Sequence, residues 1–177
     1  MAHRAIQLAT TWKEWLSTDG SKLLLYARQR TSNLEDAEDL MQDALIRLWG
    51  YQAERNYRPP DLPLAYCVLR LCAMDHGRKA GRRDRKQRKI VEFHAYDDHW
   101  LDHGAEEGEE AEMLRSSVQT LSEKLREVIV MKIWGGLTFA QIAEVLKVSH
   151  NTAASRYRYA LEQLQKKLSY LKEARNG

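Results

Sequence analysis

Residues 138–161 read TFAQIAEVLKVSHNTAASRYRYAL, and the organisation of the chain can be worked outward from them. Thr138 is placed to cap a short helix, Phe139–Leu146, and Ser149 to cap a longer one running to about Leu171. Between them lies the tight turn Lys147-Val148-Ser149, and the small Ala143 lets the two helices cross closely. Ile142, Val145, Val148, Ala153, Tyr157 and Leu161 fall on the inward side, the pattern of a helix-turn-helix. The outward positions of the second helix are Asn151, Thr152, Ala154, Ser155, Arg156, Arg158 and Tyr159. Hydrogen-bonding and cationic side chains suit a major groove, where base edges present donors and acceptors inside a cage of phosphates. The bland alternative is a helical hairpin with an ordinary polar face. Upstream, Met113–Leu121 and Glu123–Trp134 read as two further helices, with Ser122 as a cap and Gly135-Gly136 as the turn.

Charge divides the chain into three. Residues 1–96 hold 17 Lys/Arg against 12 Asp/Glu, residues 97–112 hold eight carboxylates and no Lys or Arg, and residues 113–177 hold 11 Lys/Arg against five Asp/Glu. The net charge of +3 thus conceals two basic modules on an acidic tether. Each module can approach a polyanion, while the tether is repelled by one. The densest run is Arg78, Lys79, Arg82, Arg83, Arg85, Lys86, Arg88 and Lys89, opposed only by Asp84. That is more charge than solubility requires, and it points to phosphate contact.

The first half is also helical in pattern, with no alternating β-branched run and no hairpin signal. A helix is expected through about Lys22–Arg30, preceded by a separate segment at Trp12–Leu16. Ser32 or Asn33 then caps a second helix, with Glu35, Asp36, Glu38 and Asp39 near its positive dipole end. Its apolar positions Ala37, Leu40, Met41, Ala44, Leu45 and Leu48 form a core stripe. Its other face carries Asp39, Gln42, Asp43, Ile46 and Trp49, a mixture that suits either solvent or a protein partner. Pro59, Pro60 and Pro63 are expected to end this helix and to stiffen the loop Asn56–Pro63. A third helix then runs from about Leu64 to Lys79.

At 177 residues the chain has room for one domain or two small ones. No apolar run approaches the roughly 18–20 residues of a transmembrane helix. The N-terminus lacks a signal-peptide hydrophobic region, so a cytoplasmic protein without membrane insertion is expected. Cys67 and Cys72, five apart in an apolar stretch, read as reduced core thiols. His94, His99 and His103 lack metal-ligand spacing and read as solvated linker. No nucleophile–base set or phosphate loop is present, so no enzyme, metal or cofactor is expected.

Leu34–Trp49 (LEDAEDLMQDALIRLW) together with Leu121–Leu168 resembles bacterial RNA polymerase sigma factors of the short, two-domain extracytoplasmic-function group. The resemblance implies an all-α fold of two small helical domains. These would be a region 2-like domain at 1–95, an acidic flexible linker at 96–113, and a region 4-like helix-turn-helix at 114–177. It implies core RNA polymerase as partner, through the β′ clamp helices and the β flap, with promoter DNA as the second partner. It leaves room for an anti-sigma factor without identifying one. By position, Asp39, Gln42, Asp43, Arg47 and Trp49 match the family's polymerase-binding surface. The loop with Asn56, Tyr57 and Arg58 matches the one that captures an unpaired −10 base, where an aromatic ring and a cation suit stacking and phosphate contact. Leu71, Asp75, Arg78, Lys79, Arg82 and Arg83 match the helix that melts and holds that element. Asn151, Thr152, Ala154, Ser155, Arg156, Arg158 and Tyr159 match the −35 reader. The chain departs from the family at Leu71, where a polar Asn is common, at Lys147, where a turn Gly is common, and at Ala154, where a basic residue is frequent. A conventional dimeric helix-turn-helix regulator is the competing expectation, but it leaves the first 90 or so residues without a role.

The basic run generates a direct prediction. Replacing Arg82, Arg83, Arg85 and Arg88 together by Ala lowers the log–log salt slope of promoter binding by about 0.9 per lost duplex phosphate contact, or about 0.7 on single strands. A salt titration of the polymerase complex on promoter DNA measures it, and an unchanged slope means the run is only solvated.

Overall fold

Every element among the described residues is helical. They are α1 (Ala2–Arg28), α2 (Leu34–Tyr51), a 3-10 turn (Ala53–Arg55), α3 (Leu62–Asp84), α4 (Glu109–Gln119), α5 (Glu123–Ile133), α6 (Phe139–Leu146) and α7 (His150–Asn176). The computed structural model describes residues 2–84 and 109–176, with side chains at 11–78, 113, 114, 116–170 and 173. The chain divides into two units, Met1–Asp98 and His99–Gly177, each with its own core.

In the first unit, α1 is one continuous helix rather than the two segments expected. Nothing between Leu16 and Lys22 forces a break: there is no proline, and a mid-helix Gly20 costs only about 1 kcal/mol. The helix closes by tightening, with Gln29 N–H donating to Tyr26 O (3.2 Å) and Arg30 N–H to Ala27 O (2.9 Å). Of the two candidate caps for α2, Asn33 holds the position, its Oδ1 accepting from Asp36 N–H at 2.8 Å. The α2 stripe buries Ala37, Leu40, Ala44 and Leu48, with Met41 and Leu45 half-buried at its edge. This core also holds Leu23, Tyr26 and Ala27 of α1 and Ala65, Tyr66, Val68, Leu69 and Cys72 of α3. The rings of Tyr26 and Tyr66 meet edge to face at 5.5 Å, and the Tyr66 hydroxyl donates to Lys22 O at 3.3 Å. Burial pushes the Tyr66 phenol far above its ordinary pKa and also raises the Cys72 thiol, so both stay neutral. Cys67 and Cys72 are free thiols.

Three boundaries differ from expectation. The prolines do not end α2, which stops at Tyr51 and passes through the 3-10 turn to Asn56 in the left-handed region (φ 55°). Tyr57 N–H then bonds back to Gln52 O at 2.8 Å, a six-to-one closure that terminates the helical path before any proline is reached. Likewise α3 starts at Leu62, so Pro63 lies in its first turn, where a missing N–H leaves nothing unsatisfied. The cap is Asp61, whose Oδ1 accepts from Leu64 N–H at 3.0 Å. At its far end α3 continues to Asp84, so Arg78, Lys79, Arg82 and Arg83 all ride on a helix. Arg85, Lys86, Arg88, Lys89, His94, His99 and His103 lie outside the described residues.

In the second unit, α4 begins at Glu109, inside the segment expected as linker. Ser122 precedes α5, but its side chain makes no cap bond. Its carbonyl instead accepts from Leu125 and Arg126 N–H, each at 3.0 Å. Gly136 turns the chain with φ 66°. Thr138 and Gln141 form a reciprocal capping box, with bonds of 3.2 Å and 2.8 Å. The core is filled by Val118, Leu121, Val128, Ile129, Met131, Ile142, Val145, Ala153, Ala160 and Leu164. Leu161, expected inward, is 39% exposed. The inward line of α7 steps from buried Ala153 through half-buried Tyr157 to buried Ala160 and Leu164, and Leu161 sits about 100° round from Ala160.

Lys147, the turn residue, has φ 56° and ψ 46°. A non-glycine residue there costs roughly 1 kcal/mol, so Lys147→Gly should raise the stability of the second unit by up to about that amount. Amide hydrogen exchange of α6 and α7 reads the change, and slower exchange is expected.

Candidate nucleic-acid interface

The outer face of α2 is tied to α3 by two polar bridges. Asp43 Oδ2 and His76 Nε2 are 2.7 Å apart, and Arg47 Nη1 donates to Asp75 Oδ2 at 3.0 Å. The Asp75 hydrogen bond raises the Arg47 pKa above its ordinary value. Asp75 also faces Arg78 at 3.9 Å. Hence Asp43 and Arg47, expected to meet a protein, and Asp75, expected at DNA, are joined within the fold. Asp39, Gln42 and Ile46 remain exposed on α2. Gln42→Lys is consequently a cleaner probe of this face than any change at Asp43, which would also break the bridge to His76.

The loop after α2 is held in an unusual backbone shape. Asn56 and Tyr57 are both left-handed, with φ 55° and 53°. Asn tolerates that region, but a bulky aromatic residue costs about 1–2 kcal/mol there and needs surroundings that hold it. They are visible. Tyr57 N–H is bonded to Gln52 O, Tyr57 O accepts from the Trp12 indole Nε1 at 2.6 Å, and the Tyr57 ring stacks on Trp49 at 4.8 Å and 31°. Trp12 also packs on Trp49, with centroids 5.3 Å apart. Trp49, 44% exposed, is therefore the stacking partner of Tyr57 within the fold.

Beyond this turn a cavity of about 470 Å³ is lined by Gln52, Arg55, Asn56, Arg58, Pro59, Pro60, Asp61 and Leu64. Asn56 and Arg58 were legible as candidates; Gln52, Arg55 and Asp61 were not, because they belong to the helix ends that close the loop. On α3, Leu71 is 50% exposed and Arg78 is also exposed. The side chains of Lys79, Arg82 and Arg83 lie outside the described residues.

In the second unit, Asn151, Arg158 and Tyr159 are exposed along α7, while Arg156 and Ala154 are half-buried. Two of the expected hydroxyl contacts are engaged internally. Thr152 N–H and Oγ1 meet Ser149 Oγ at 3.0 Å and 2.8 Å, and Ser155 Oγ donates to Asn151 O at 2.7 Å. Phe139 braces the start of α7 through Tyr157 (5.5 Å) and His150 (6.0 Å). Lys132 Nζ lies 4.9 Å from the centre of the Phe139 ring. The cationic and amide groups are presented from a rigid helix, which suits groove reading.

Comparison with known proteins agrees with this architecture. The family "Sigma-70 region 2" matches residues 18–83 and "Sigma-70, region 4" matches residues 111–164, together more than half of the chain. An RNA polymerase sigma-E factor of Streptomyces avermitilis is 29% identical over 168 residues, covering 95% of this chain and 89% of that protein. Its counterpart in Streptomyces coelicolor is 29% identical over 157 residues, covering 89% and 85%. The sigma factor RpoE of Bartonella quintana, solved with the anti-sigma factor NepR, shares the fold with a TM-score of 0.71 at 24% identity, covering 89% of this chain and 96% of that one. Three helices around a buried α2 stripe, followed by a helix-turn-helix, are the order in which both family matches fall, and the chain belongs to the sigma-70 family of RNA polymerase sigma factors, in its two-region, extracytoplasmic-function form.

Proposed function

We propose a division of labour for this sigma factor among three surfaces. As a sigma factor the chain binds core RNA polymerase and directs it to promoters. The exposed face of α2, centred on Asp39, Gln42 and Trp49 with Asp43 and Arg47 beside them, docks on the β′ clamp helices. The second unit meets the β flap and sets Asn151, Arg156, Arg158 and Tyr159 on the −35 element, with Thr152, Ala154 and Ser155 shaping the contact surface. The loop Asn56–Arg58 and the outer face of α3, with Leu71, Arg78, Lys79, Arg82 and Arg83, take the melted −10 strand. Asp75 acts by orienting Arg47 and Arg78. The observation that supports this most is the cavity lined by Asn56 and Arg58, next to a helix whose far end carries Arg78, Lys79, Arg82 and Arg83.

The polymerase supplies the chemistry, and the sigma chain contributes binding and strand separation. Among the described residues no group of His, Cys, Asp or Glu is arranged to hold a metal. No described helix is long and apolar enough to cross a membrane, and this role places the protein with polymerase and DNA in the cytoplasm. An anti-sigma factor as regulatory partner belongs to the same proposal, prompted by the RpoE–NepR complex. A conventional helix-turn-helix regulator is not favoured, because region 2 matches the half that such a regulator leaves unexplained.

The primary test incubates the protein with bacterial core polymerase and genomic DNA and sequences transcript 5′ ends; initiation at a common two-part motif is expected. Gln42→Lys should weaken core-polymerase affinity with thermal stability unchanged, because Gln42 is exposed and outside the core stripe. Fluorescence titration against core polymerase reads it, and unchanged affinity removes this face from the interface. Arg158→Ala should relax preference at one −35 base pair by roughly 1–3 kcal/mol if its contact is bidentate, sparing a pre-melted template. Arg58→Ala should do the reverse, slowing opening of intact DNA while upstream preference holds. Transcription from intact and bubble templates with single-base variants separates the two outcomes, and equal failure of both variants on both templates overturns the division.

A further inference from the structure

Helix α1 begins at Ala2, whereas the region 2 match starts at residue 18. Trp12 and Trp15 therefore stand outside the residues that the region 2 match covers. Trp12 is nonetheless only 7% exposed, and its ring packs 5.6 Å from Trp15 and 5.3 Å from Trp49. Its indole Nε1 donates to Tyr57 O at 2.6 Å across 45 residues of sequence.

An indole N–H is a donor only and, once buried, needs an acceptor. The carbonyl that receives it belongs to one of two consecutive left-handed residues, neither of them glycine. That backbone shape persists only where several contacts hold it together. Four are visible here: the Gln52 carbonyl on the Tyr57 amide, the Arg55 carbonyl on the Arg58 amide (3.3 Å), Trp49 on the Tyr57 ring, and Trp12 on the Tyr57 carbonyl. The first two come from the loop's own closure and the third from α2. Of these four, the Trp12 contact comes from the element most distant in sequence, and with the Arg55 carbonyl it holds the peptide group that leads into Arg58. Arg58 and Asn56 line the cavity, so a rotation of that peptide alters its wall.

We propose that Trp12 is a positioning residue for the promoter loop. Its indole hydrogen bond locks the left-handed Asn56–Tyr57 pair and so sets the shape of the cavity that receives an unpaired −10 base. This rests on the assignment of the loop to the −10 strand. Through Trp49, whose ring touches both Trp12 and Tyr57, the same cluster links the loop to the polymerase-facing helix.

The experiment uses the full chain with core polymerase and compares wild type, Trp12→Phe and Trp12→benzothienylalanine, which keeps the ring shape and lacks the N–H. Arg58→Ala is carried alongside. Open-complex formation on an intact promoter should fall about 3- to 10-fold in both Trp12 variants, the range expected for one lost neutral hydrogen bond. Preference at one −10 base should flatten, while −35 preference and core affinity hold. In the free protein, the amide resonances of Tyr57 and Arg58 should shift, a signature that loss of packing elsewhere would not give. If Trp12→Phe lowers thermal stability, the isostere decides. Unchanged opening and base preference in the isostere, with Arg58→Ala impaired, overturns the role of Trp12 and leaves the loop assignment standing. Unchanged opening in the Trp12 variants and in Arg58→Ala overturns both.

Discussion

The α2 helix must serve three neighbours with a single periodicity of 100° per residue, and the first unit is organised around that constraint. One stripe, Ala37, Leu40, Ala44 and Leu48, is committed to the core. The next arc carries Asp43 and Arg47, which reach α3 through His76 and Asp75. The remaining arc carries Asp39, Gln42 and Ile46 to the surface. Trp49, in the last turn of the helix, lies between these roles, half in an aromatic cluster and half exposed. A helix so divided cannot shift or rotate without breaking a buried contact, which keeps its outer face in a defined relation to α3 and to the loop.

Stability and recognition use different interactions in this protein. The cores are largely apolar, with Gln52, Ser117 and Glu127 the buried polar residues among those described, and burial of side chains such as Leu40 or Ile129 contributes roughly 1.5–3 kcal/mol each. The polar bridges between α2 and α3 are partly exposed, and pairs of that kind contribute about 0–1 kcal/mol. Their consequence is orientation rather than stability, because they settle which way Arg47, Asp75 and His76 point. In the second unit the capping box and the Ser149–Thr152 bonds fix helix ends, and Arg158 and Tyr159 are left exposed.

Much was legible in sequence because it depends on local rules. Helix periodicity, the Thr138 and Ser149 caps, the helix-turn-helix and the cluster of cations from Arg78 onward all follow from spacing and side-chain chemistry over one or two turns, although the continuation of α3 past Lys79 was not expected. The expected ends of α2 and α3 were wrong for a related reason. Prolines are strong local signals, yet the six-to-one closure onto Gln52 stops α2 first, and Asp61 lets Pro63 enter α3. Leu161 was misplaced by one helical step, since an apolar residue next to a buried stripe reads the same in sequence whether it faces in or out.

What the sequence by itself determined is the helical class, the charged surfaces and the family pattern of two regions, since these reside in periodicity, composition and motif order. Only tertiary structure decided that Trp12 reaches Tyr57, that Asp43 and Arg47 are bridged to α3, and that Gln52, Arg55 and Asp61 line the cavity with Asn56 and Arg58. Those contacts join residues tens of positions apart or gather them at helix ends. No local rule encodes them, because they depend on how three helices pack and on a left-handed turn that is tolerated only once that packing surrounds it.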